Sequence, residues 1–151
     1  MSGFLNYTTT IAAEKTLGEV QAMLGRAGAS AVATTYEGGR ATGVNFQMST
    51  PHGPATFALP VNVDGVQAAL VKAQREGRAK GLSKVSALSR DQAERVAWRV
   101  IKDWLEAQLA LVAASMAQLD TVMLPYLLVD GQTLADRYLE RGALMLEVGS
   151  R

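Results

Sequence analysis

The sequence predicts an α+β fold: a small antiparallel β-sheet with one preceding helix and a C-terminal helical layer that includes one long helix. Three observations lead there. Between residues 30 and 61, short β-prone runs are joined by tight glycine- and proline-containing breaks, which fit hairpins better than crossovers. A helical hydrophobic repeat precedes these runs, and a second, much longer one begins near residue 89. With 151 residues, 48% hydrophobic and 19% charged, the chain can bury a core of its own.

The elements follow in order. "NYTTTIA" (6–12) is β-prone and reads as a first strand or an arm that pairs with another chain. Thr16 and Glu19 have capping-box spacing. Leu17, Val20, Leu24 and Ala27 then repeat helically until Gly28. "SAVATTY" (30–36), "ATGVNFQMST" (41–50) and "ATFALPV" (55–61) are strands, separated by the turns "EGGR" and "PHGP". A second helix starts with Asn62 or Asp64 as N-cap. Ser89 and Gln92 form another capping box, opening the long helix to about Ser115. A short helix stops near Pro125, Asp130-Gly131 turns the chain, and a last helix covers about 132–141. Residues 1–151 are read as one domain, with a sheet-and-helix part (6–71), a loose basic connector (72–88) and a helical part (89–141).

Composition narrows the chemistry. There is no cysteine, which excludes disulfides and thiolate catalysis and fits a reducing cytoplasm. The first residues lack the basic start and apolar run of a signal peptide, and no apolar run is long enough for a membrane span. Net charge is only +1, which disfavours nucleic acid as a partner. The charge is uneven, however: Lys72, Arg75, Arg78, Lys80, Lys84 and Arg90 are offset only by Glu76.

Catalytic groups are sparse. His52 is the single histidine and sits in a turn, so no metal-binding spacing exists and no cofactor is implied. There is no nucleotide-binding glycine loop and no nucleophile elbow. Asp91, Glu94, Asp103 and Glu106 lie among cations at helical spacing and read as ion pairs. These omissions argue against a hydrolytic or metal-dependent enzyme.

Two features suit a bound nucleotide. On the long helix, one side carries Ala97, Ile101, Trp104, Gln108 and Leu111, which makes Trp104 the core residue and Trp98 a flank. Opposite lies a stripe of Arg95, Arg99, Lys102 and Glu106, in which Arg95 and Arg99 one turn apart form either a solvated surface or a clamp for a diphosphate. In "FALPVNVDGV", Asn62 and Asp64 either cap a helix or read a base edge and ribose, with Phe57 just upstream as a stacking ring.

Taken together, "NYTTTI…KTLGEVQAMLGRAGA", "LPVNVDGV" and "QAERVAWRVIKDWLEAQLAL" resemble the anti-Thoeris family of phage and prophage proteins. The resemblance implies a nucleotide sponge: a sheet-plus-helix protein that sequesters cyclic ADP-ribose isomers made by bacterial TIR-domain enzymes, without cleaving them. It also implies assembly as dimers or hexamers, separate sites for cyclic oligonucleotides, and action in the cytoplasm of the infected host. Carried onto this chain, the ligand residues would be Arg95, Arg99, Asn62, Asp64 and Phe57, with Arg26 as a phosphate contact. The connector and the tail after Pro125 have no counterpart in that pattern. Two other readings remain open. The helix–strand–strand–strand–helix order is also that of a double-stranded-RNA-binding domain. "RYLERGALML" would serve a protein-inhibiting module as its docking helix.

Overall fold

A computed structural model describes residues 6–149, with side-chain environments through Gly142. Helix α1 (Ala13–Arg26) leads into a three-stranded antiparallel meander, β1 (Ala31–Glu37), β2 (Arg40–Thr50) and β3 (Gly53–Ala58). Helices α2 (Val63–Arg75), α3 (Lys84–Leu88) and α4 (Arg90–Ala113) follow. The chain closes with α5 (Leu119–Val122), a 3-10 turn at Leu124–Tyr126, the two-residue strands β4 (Leu128–Val129) and β5 (Gln132–Thr133), and α6 (Leu134–Gly149). The α+β class and the long C-terminal-half helix are as expected from the sequence.

Turn chemistry sets the sheet. Gly38 and Gly39 both have positive φ, the geometry that a two-residue hairpin between right-twisted strands needs. At the end of α1, Gly28 is also left-handed, and Ala29 N donates back to Leu24 O at 3.0 Å, closing the helix as a Schellman motif. Phe46 on β2 faces Phe57 on β3 across the ladder, with ring centroids 5.3 Å apart. Val44, Phe46 and Phe57 form the buried face of the sheet, on which α1 and α4 pack.

Helix α4 is the spine. Trp98, Ile101 and Leu105 enter the core formed with α1, the sheet and α5. Ala93, Val96 and Ala97 enter a second cluster with Val63, Leu70 and Ala73 of α2 and with Ala79, Leu82 and Ala87. The segment expected as a loose basic connector is therefore packed: its small apolar residues go inside, and α3 forms with Ser83 as its N-cap.

Several local expectations are corrected. Residues 6–12 form a turn and irregular backbone, and Tyr7 packs on the second cluster. Thr16 is no cap, because α1 starts at Ala13 and Thr16 is fully buried inside it. Ser89 caps α4, accepting from Gln92 N at 3.3 Å, but the Gln92 side chain turns away to the N-terminal segment. Trp98 is the buried tryptophan, and Trp104 lies half-buried with its ring perpendicular to that of Tyr126, centroids 5.4 Å apart. The last helix starts at Leu134 and runs past Arg141.

Candidate functional site

The six residues singled out in the sequence fall into separate places. Phe57 is 1% exposed and stacked on Phe46, so its ring is a core element and not a surface for a ligand. Asn62 caps α2, its Oδ1 accepting from Gly65 N at 2.9 Å. A Cβ on Gly65 would come within 2.9 Å of the Asn62 amide, so glycine at that position makes room for the cap. Asn62→Ala is expected to cost about 1 kcal/mol in denaturant unfolding, with Asn62→Asp retaining most of it. Asp64 is exposed and accepts from Arg90, which also donates to Gln67 and so ties α2 to the start of α4.

Arg95 and Arg99 do not form an open solvated stripe. Both lie half-buried along the side of α4 that faces α1 and the N-terminal segment. The Arg95 Nε and Nη2 donate to Gln92 Oε1 at 3.0 and 2.8 Å. Arg99 Nη1 donates to Glu19 Oε2 at 3.0 Å, while its Nε is buried without a partner among the described residues. Asn62 lines a small groove beside Ala97, Val100 and Ile101. Ala97 and Ile101 stand about 160° around the helix axis from Arg99. One chain thus keeps Asn62 and Arg99 on opposite sides of α4.

What the fold does assemble is a groove of about 660 Å³ between α1 and α4. Met23, Met48, Leu109 and Val112 supply apolar wall, and Glu19, Arg26, Lys102 and Glu106 supply charge. Lys102 Nζ lies 3.6 Å from Glu19 Oε2 and 3.4 Å from Glu106 Oε2. Arg26, one of the six, joins about two turns further along α1. The groove lining balances Arg26 and Lys102 against Glu19 and Glu106, and the α4 stripe brings Arg99 to its edge through Glu19. Lys102 and Glu106 were visible in sequence as members of the stripe; Glu19 was not, because its spacing from Thr16 suggested a cap.

A second charged cluster lies at the other end of α1. The Arg40 guanidinium on the β1–β2 hairpin donates to Asp91 at 2.6 Å and to Glu94 at 3.0 Å, bridging to the first turns of α4. The hydrogen bond from Arg40, then its charge, hold the Asp91 carboxyl below the usual aspartate range, and the two carboxylates raise Arg40. A depressed carboxyl pKa contributes stability that is present above the unfolded-state value and lost as pH falls through the folded one. Asp91→Asn is therefore expected to lower Tm at pH 7 and to converge on wild type at a pH acidic enough to protonate the depressed Asp91 carboxyl. A Tm series at both pH values checks this. Among the described residues there is no cluster of side chains suited to a metal ion, and no helix long and apolar enough to cross a membrane.

No protein-family model, curated protein or solved structure matches this chain.

Proposed function

We propose that this is a binding protein that captures a cyclic ADP-ribose-type immune signal and holds it intact, acting as a phage anti-defence protein in the host cytoplasm. The observation that carries the reading is the apolar-walled α1–α4 groove, lined by Arg26 and Lys102 and adjoined by Arg99 through its ion pair with Glu19. Its volume lies in the range of small-ligand sites, which commonly join an apolar wall to a few polar groups. The methionine and leucine wall suits an adenine face, and Arg26, Arg99 and Lys102 suit a pyrophosphate. The sequence resemblance described above supplies the ligand class.

Titration calorimetry with cyclic ADP-ribose isomers and cyclic oligonucleotides tests it. Binding is expected, with unchanged ligand recovered after heating the complex. Arg26→Ala and Arg99→Ala are each expected to weaken binding roughly 10- to 100-fold, the scale of a lost charge-assisted contact. Failure to bind any of the panel sinks the reading. If Asn62→Ala weakens binding as much as Arg99→Ala, the ligand lies between two copies, since a single chain keeps those residues on opposite sides of α4.

A docking role has one observation in its favour. Leu124, Tyr138 and Leu139 are exposed around α6, where a mainly apolar groove opens between α6 and the 3-10 turn. Size-exclusion chromatography with light scattering separates a self-associating surface from one that stays free.

A further inference from the structure

We propose that Glu19 is the resident anion of a diphosphate subsite, occupying the position that an incoming phosphate takes and competing with it. The inference rests on the sequestration reading and adds a residue and a mechanism to it. A single carboxylate oxygen, Glu19 Oε2, accepts from Arg99 Nη1 at 3.0 Å and sits 3.6 Å from Lys102 Nζ. Glu19 is one of the residues lining the α1–α4 groove, and its side chain is about a third exposed. Behind it, Arg99 is 15% exposed and Lys102 16%. Two cations held that far from water need an anion beside them.

The match between Glu19 and its cations is incomplete. Arg99 uses one of its donors on the carboxylate, and its Nε is buried with no acceptor among the described residues. A guanidinium presents a fork of parallel donors, which a tetrahedral phosphate fills better than one carboxylate oxygen. Arg95 stands one turn away and, among the described residues, hydrogen-bonds to the neutral Gln92 amide, so a second phosphate has a cation to meet. A glutamate on the surface of α1 has three rotatable bonds and can swing into water as the phosphate enters. Until then it holds Arg99 and Lys102 in place, so the subsite is pre-organised.

Removing the carboxylate should therefore strengthen binding of a bare anion. Inorganic pyrophosphate is the probe, titrated into wild type, Glu19→Gln, Glu19→Ala and Glu14→Gln. Glu14 is an exposed carboxylate at the start of α1, away from this groove, so its variant controls for the change in net charge. Two substitutions at position 19 guard against a folding defect in either, with Tm measured for each. Glu19→Gln and Glu19→Ala are expected to bind pyrophosphate at least about tenfold more tightly than wild type, with Glu14→Gln close to wild type. Equal or weaker binding by both Glu19 variants overturns the proposal and makes Glu19 a brace. If wild type binds cyclic ADP-ribose isomers while the Glu19 variants gain nothing, sequestration stands and the resident-anion role falls. If no variant binds pyrophosphate and wild type binds none of the nucleotides, both fall together.

Discussion

Trp98→Ala is expected to cost the fold about 3–5 kcal/mol, whereas Trp104→Ala should cost less than about 2. Trp98 is completely buried where α4 meets α1 and the sheet, among Val20, Leu24, Phe46 and Phe57. Truncation there leaves a cavity that rigid neighbours from several elements cannot close. Trp104 is half-buried at the margin of the same core, with its ring perpendicular to that of Tyr126. Loss of that contact removes some apolar area and one aromatic pair, worth about 0.5–1.5 kcal/mol beyond burial. Urea unfolding of the two variants checks the ranking, and equal costs would contradict the packing described here.

The reversal of the two tryptophans shows where sequence periodicity fails. A helix that buries one stripe reports its core direction in the average of its apolar positions. Helix α4 buries two: Ala93, Val96 and Ala97 against α2 and α3, and Trp98, Ile101 and Leu105 against α1 and the sheet. Those directions differ by roughly 120°, and their average falls near Trp104 and Gln108. A one-stripe reading thus selects a direction that lies between the two real interfaces. The same error turns the sector holding Arg95, Arg99 and Lys102 into a solvated surface, when α1 and the N-terminal segment cover it.

Local signals were far more legible. Gly28, Gly38-Gly39 and Asp130-Gly131 each stand where positive φ is needed, and Asn62 and Ser89 each cap a helix. These depend on a few neighbouring residues, which a sequence displays directly. The groove is different in kind, because Glu19 meets Arg99 across 80 positions and Met48 comes from the sheet. Only Arg26 of the six expected ligand residues lines it. Arg95 and Arg99 approach it through the stripe, while Phe57, Asn62 and Asp64 are held elsewhere by packing, capping and an ion pair.

Gln92 carries the other large expected effect, and its role rests on the same long-range contacts. It is 5% exposed, and its amide is fully used. Nε2 donates to the carbonyls of Tyr7 and Thr9 at 2.9 and 3.1 Å, and Oε1 accepts both hydrogen bonds from Arg95. This one side chain fastens the N-terminal segment to α4 and orients Arg95. Gln92→Leu removes every one of these bonds and strands partly buried polar groups, for an expected loss of about 2–4 kcal/mol. Gln92→Glu keeps the acceptor for Arg95 but turns a carboxylate toward two backbone carbonyls, so it should release the segment while leaving Arg95 paired. Amide hydrogen exchange at residues 7–12 separates these effects: protection should fall in both variants. Unchanged protection in Gln92→Leu would mean that Tyr7, packed on the second cluster, and the 2.7 Å bond from Asn6 to Asp103 hold the segment by themselves.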